Sequence, residues 1–196
     1  RIVRRSRRSG AASGASSSST AAIQSEIPLT ISRNPALLTA ISRSLPVDYD
    51  FEIPKTLHRI ERQRARHVAL QMPEGLLMYA CSVSDILRRF SPRGCCEVVT
   101  VMGDVTYGAC CVDDLGARAM GADLLVHYGH SCLVPITSTV VKCLYVFVEI
   151  RVDARHAAEC LMKTCGVGTR VHVMGTVQFR AAVVEASRLL NESGRP

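Results

Sequence analysis

The chain has 196 residues, 47% hydrophobic and 21% charged, enough apolar content for one substantial core or two small ones. Its formal net charge of +7 is gathered at the start, where residues 1–25 hold five arginines and no acid, leaving 19 basic against 17 acidic side chains afterwards. This excludes a broad basic face for nucleic acid, and no apolar run approaches the roughly 20 residues that cross a bilayer.

Residues 1–26, rich in Arg, Ser and Ala, read as a disordered basic tail, with an organelle transit peptide as the alternative. The sequence begins with Arg and not Met, so a piece of a longer protein is expected. Residues 27–66 read as accessory helices. Asn34 is placed to cap a helix with Pro35 at its first position, and Leu37, Leu38, Ile41 and Leu45 recur at helical spacing until Pro46. A second helix starts near Pro54, with Leu57, Ile60 and Gln63 on one side and Arg59, Arg62, Arg64 and Arg66 mostly outward.

From His67 short β-rich runs alternate with amphipathic helices. Strands are expected over 68–71, 96–102, 124–128, 144–150 and 170–174, and helices over 76–90, 112–120, 154–164 and 180–190. The strands are apolar throughout and do not alternate, which predicts an α/β fold: a mostly parallel sheet with helices on both faces, occupying 67–196. In such a sheet all strand carboxyl ends lie at one edge, and ligands bind there. The loops 72–75, 103–111, 129–135 and 175–178 are expected to share that edge.

Two of those loops carry chemistry. Gly103-Asp104-Val105-Thr106-Tyr107-Gly108-Ala109-Cys110-Cys111 sets two thiols on a glycine-flanked turn, and His127-Tyr128-Gly129-His130-Ser131-Cys132 adds histidines and a third thiol. Nine cysteines, an odd count, suit thiols or metal ligands in a reducing compartment better than a disulfide framework. Adjacent side chains diverge, so Cys110 and Cys111 read as one ligand plus one packing residue. Both as small buried hydrophobes is the bland alternative. A helix beginning just after Cys110 would lower its thiol pKa. His127, inside an apolar strand, reads first as a hydrogen-bonded core histidine, and His130 in the loop is better placed for chemistry. Asp113 and Asp114 would cap the following helix or orient the thiol loop. Cys81, Cys95, Cys96, Cys143, Cys160 and Cys165 read as packing or surface residues. Cys-x-x-Cys pairs, phosphate-binding glycine loops and Gly-x-Ser-x-Gly turns are absent, which gives no support to structural zinc, nucleotide hydrolysis or serine hydrolysis.

The segments Ala69-Leu70-Gln71-Met72-Pro73-Glu74-Gly75-Leu76-Leu77, 101–114 and Gly121-Ala122-Asp123-Leu124-Leu125-Val126-His127-Tyr128-Gly129-His130-Ser131-Cys132-Leu133 resemble the first domain of the diphthamide-biosynthesis enzymes. Tyr49-Asp50-Phe51-Glu52-Ile53-Pro54-Lys55-Thr56, 144–151 and Thr176-Val177-Gln178-Phe179 are similar as well, and the resemblance covers roughly residues 27–190. Within the family it favours the first, catalytic subunit of the eukaryotic enzyme.

The resemblance implies a transferase with three similar α/β domains, each giving one cysteine to a [4Fe-4S] cluster that binds S-adenosylmethionine at its open iron. The implied reaction moves the 3-amino-3-carboxypropyl group, as a radical, onto a histidine of translation elongation factor 2. The implied partners are a second subunit forming a heterodimer and a small electron-donating iron protein, all cytoplasmic, with no membrane and no direct nucleic-acid contact. The first Cys of Gly-Ala-Cys-Cys is the family's ligand, here Cys110. Tyr107, His127 and His130 flank the same edge and are expected to orient substrate or cosubstrate. The segments for the second and third cysteines lie beyond Pro196, and Cys132, Cys143, Cys160 and Cys165 do not stand in those motifs. These 196 residues alone are therefore expected to be inactive. Two other readings stay open: a non-catalytic α/β module that binds the partner subunit, and a zinc or thiol-redox protein.

Overall fold

The computed structural model describes residues 27–103, 112–129, 134–166 and 168–193. A short helix, α1 (Leu29–Ser32), leads into α2 (Pro35–Ser44). Asn34 starts α2 as expected: its side-chain oxygen accepts from the Ala36 and Leu37 N–H groups at 3.0 and 3.2 Å. After a two-residue strand β1 (Tyr49–Asp50) comes α3 (Ile53–Gln63), whose Ile53, Thr56, Leu57 and Ile60 form one buried stripe.

The central sheet is four-stranded and wholly parallel, in the order β3-β2-β4-β5, from β2 (His67–Gln71), β3 (Val98–Val101), β4 (Leu124–Tyr128) and β5 (Lys142–Val146). Between β2 and β3 run α4 (Glu74–Leu77) and α5 (Ala80–Phe90), and α6 (Asp114–Ala119) lies between β3 and β4. The pleat separates two cores. Val68, Leu70, Leu124, Val126, Tyr128, Leu144 and Val146 face α2, α3 and α5 in the larger one, which also holds Ile31, Leu37 and Phe51. Ala69 and Leu125 face Ala117 of α6, with Met102 and Val141, in the smaller. The predicted parallel sheet with helices on both faces is thus observed. The helices of residues 29–63 share the larger core, and the Phe51 ring, 5.6 Å from Tyr79 and 6.2 Å from Tyr128, ties that segment to α5 and β4.

Three elements differ from expectation. The strand expected over 144–150 is two strands, because Val148 takes a left-handed turn (φ 52°) that diverts the chain into β6 (Glu149–Ile150), paired antiparallel with β1. The helix expected over 76–90 divides at Met78 and Tyr79, where the Tyr79 ring turns onto Phe51. No strand forms over 170–174. After α7 (Ala154–Thr164) this stretch runs irregularly over the surface, with Met174 87% exposed, into a 3-10 turn (Val177–Phe179) and α8 (Arg180–Glu192). Its apolar residues lack the partner strand that would satisfy their backbone, and β-rich composition alone does not supply one.

Candidate functional site at the carboxyl edge of the sheet

The strand order places a switch point between β2 and β4. From β2 the chain moves outward to β3, then returns past β2 to β4, so the loops leaving β2 and β4 diverge and open a crevice at their carboxyl ends. Gln71 and His127 sit there as register partners on the two strands, both buried.

Gln71 joins three elements. Its Oε1 lies 3.1 Å from His127 Nδ1 and accepts the Asp113 N–H at 3.2 Å. A carbonyl oxygen only accepts, so His127 donates from Nδ1. Asp113 then caps α6, its Oδ1 accepting from Gly116 N–H at 2.7 Å. A Cβ at Gly116 would meet Asp113 Oδ2 at 2.2 Å, so the cap requires glycine there. Asp114 Oδ2 accepts the Val140 N–H at 2.6 Å and holds the turn before β5 against the same helix end.

The other loop root is equally fixed. Gly129 has φ 87°, and a Cβ on it would approach Pro73 Cγ to 2.8 Å, which favours glycine on both counts. Its carbonyl accepts from Gln178 Nε2, so the 175–178 segment reaches the carboxyl edge although the strand expected before it does not form. Beyond the loop, the Tyr145 hydroxyl donates to the Val134 carbonyl at 3.1 Å, while its ring meets His127 edge-on, centroids 5.5 Å apart.

Cys110, Tyr107 and His130, with Cys111 and Cys132, lie outside the described residues, in segments 104–111 and 130–133. The structure describes the anchors of those segments: Met102 and Asp113 for the first, Gly129 and Val134 for the second. His127 is the one expected site residue among the described ones, and it is wholly buried at the crevice floor. Gln71, Tyr145 and Gln178 were not singled out in the sequence. Their only signal is an amide closing an apolar strand for Gln71, a polar ring inside a strand for Tyr145 and an amide in an edge loop for Gln178.

Among the described residues no group of three or more His, Cys, Asp or Glu side chains is arranged to hold a metal. Of the six described cysteines, Cys81 and Cys160 are exposed, Cys95, Cys143 and Cys165 half-buried, and Cys96 buried. Burial pushes the Cys96 thiol up to about 11, against the lowering field of Arg88, as suits a packing residue. No helix of the described chain is long and apolar enough to cross a membrane.

Strand order and helix placement define a parallel α/β domain with a switch point between its two central strands. The chain belongs to the diphthamide synthesis protein family, whose sequence model matches residues 72–196. It is 50% identical over 175 residues to human 2-(3-amino-3-carboxypropyl)histidine synthase subunit 1, covering 88% of this chain and 39% of that protein. The Gibberella zeae protein of the same name is 50% identical over 169 residues, covering 86% and 36%. Among solved structures, Dph2 from Pyrococcus horikoshii with a 4Fe-4S cluster superposes with a TM-score of 0.62 at 27% identity, over 75% of this chain and 42% of that one. The chain thus spans well under half the length of these relatives.

Proposed function

We propose that this chain is the first α/β domain of an S-adenosylmethionine-dependent 3-amino-3-carboxypropyl transferase that modifies a histidine of translation elongation factor 2, and that Cys110 gives one of three thiolates to its [4Fe-4S] cluster. The observation that supports this most is the convergence of both cysteine- and histidine-bearing loop roots on Gln71 and His127 at the switch point. The resemblance of Gly-Ala-Cys-Cys to the family's motif and the cluster-bearing archaeal neighbour point the same way.

When bound, the cluster would supply the electron that cleaves the methionine-side Cγ–S bond of the cosubstrate. The chain's own residues hold and orient. Asp113, fixed through Gln71, sets where the segment bearing Cys110 re-enters the fold. His127 lines the crevice floor with its Nδ1 proton committed to Gln71, which fixes the orientation of its ring. Tyr107 and His130, on the loops above it, are the residues we assign to orienting substrate or cosubstrate. The remaining thiolates come from two further domains of the longer protein, which acts in the cytoplasm as a heterodimer with a second subunit and takes electrons from a small iron protein. The division at residue 66 between accessory helices and α/β domain follows the same reading.

One thiolate does not retain a cubane cluster. Anaerobic reconstitution with iron and sulfide should therefore leave this chain without stoichiometric iron or brown absorbance, and load a protein of the relatives' full length. A stable four-iron cluster on this chain alone would overturn the one-ligand assignment. Bound zinc after anaerobic purification would favour the thiol-redox reading instead. A full-length protein that forms the heterodimer but takes up no iron would favour the non-catalytic module.

A further inference from the structure

At the opposite, amino-terminal edge of the sheet lies a cavity of about 300 Å³ lined by Arg64, Arg66, Arg93, Glu61, Glu97 and Cys95. It forms where the chain enters β2 and β3, so its walls are the residues just before each strand. We propose that this cavity is a binding site for a diphosphate group.

Three observations carry it. The first is backbone strain. Arg64 (φ 49°), the residue that ends α3, and Arg93 (φ 56°) both adopt the left-handed conformation that favours glycine. They are two of the four non-glycine residues with positive φ among the described residues, and both line this one cavity. Glycine would relieve the backbone at either position; a long cationic side chain kept there is the pattern of a residue held for what it contacts.

The second is charge. Three guanidinium groups stand against two carboxylates, and neither Arg64 nor Arg93 has an ion-pair partner among the described residues. Arg66 does pair with Glu97, through two hydrogen bonds of 3.0 and 2.8 Å. That pair is exposed, 72% and 54% for its two side chains, so solvent screens it and an entering anion can share the guanidinium at small cost. Planar guanidinium forks match phosphate oxygens two at a time.

The third is rigidity. The Arg66 carbonyl accepts from the Glu97 and Val98 N–H groups at 2.8 and 3.0 Å, and the Arg66 N–H donates to Asp123 Oδ2 at 2.8 Å. Ser91 fixes the other wall, its carbonyl accepting from Gly94 N–H at 3.1 Å and its hydroxyl from Cys96 N–H at 2.9 Å. The backbone that carries the cavity walls is thus held before any ligand arrives, and only the exposed arginine side chains are left to order on binding. The volume falls at the small end of the range for small-molecule sites, roughly 300–1,000 Å³, and suits more than one phosphoryl group.

Cys95 provides a reporter inside the cavity, and exposed Cys160 a reference outside it. The full chain is alkylated with iodoacetamide, an uncharged reagent, in magnesium-free buffer at constant ionic strength, and each cysteine is followed by peptide mass spectrometry. With pyrophosphate at ten times its dissociation constant from equilibrium dialysis, Cys95 should react roughly tenfold more slowly, by the factor 1 + [L]/Kd, while Cys160 is unchanged. The double variant Arg64→Gly, Arg93→Gly keeps the left-handed backbone and should lose the protection. A nucleoside diphosphate in place of pyrophosphate shows whether the group is taken free or as an ester. No saturable binding of either, equal slowing at both cysteines, or protection that survives in the double variant would overturn the proposal. The dialysis on the unsubstituted chain decides it even if the variant fails to fold.

Discussion

Gln71 shows how one side chain can set the geometry of a crevice. Its carbonyl oxygen satisfies two donors from two other elements, His127 and Asp113. Gln71→Leu keeps the volume but leaves both donors buried without that acceptor, which costs about 1–3 kcal/mol for each group. Urea denaturation should show a loss of about 2 kcal/mol or more, whereas Gln71→Glu, which retains an acceptor, should lose less. Cys96 makes a prediction in pH. Its folded pKa, about 11, stands above the ordinary 9.0, so between these values the unfolded chain releases the proton first and stability falls as pH rises. The loss should reach about 2 kcal/mol by pH 11 and vanish in Cys96→Ala measured over the same window. An equal decline in both would remove the thiol as its cause.

At the scale of elements, α3 is the test of how the first segment belongs to the fold. Its stripe of Ile53, Leu57 and Ile60 is wholly buried against the sheet, so Leu57→Ala should cost about 2–5 kcal/mol, while Val184→Ala on α8, 60% exposed, should change stability by less than about 0.5 kcal/mol. Denaturation midpoints of the two variants give the comparison, and similar values would contradict the packing described. Elements with a strong local signal were readable in the sequence: the Asn34-Pro35 start of α2, the α3 stripe, and apolar β2 and β4. Where the sequence misleads, tertiary context decides. Residues 170–174 have strand composition and no strand beside them, and the 144–150 run is cut by a left-handed turn at Val148 that no residue type announces. The 175–178 loop does reach the expected edge, but through Gln178 meeting Gly129, a contact without a sequence signal, and not through the strand expected before it.

For the whole molecule, a parallel sheet with its loops gathered at one edge follows from strand–helix alternation, whereas the strand order and its switch point come from the structure alone. The amide–imidazole–cap linkage beneath that edge was not legible, because a single Gln at a strand end has no sequence pattern to mark it. Nor was the arginine-lined cavity at the far edge, which depends on two backbone conformations that sequence does not encode locally. The proposed chemistry turns on which of the two adjacent thiols, Cys110 or Cys111, binds iron. In a protein of the relatives' full length, Cys110→Ala and Cys111→Ala are reconstituted anaerobically in parallel, and bound iron, visible absorbance and modification of elongation factor 2 are measured. Loss of all three in Cys110→Ala with retention in Cys111→Ala is the expected result; a Cys110→Ala protein that keeps its cluster and its activity would contradict the account.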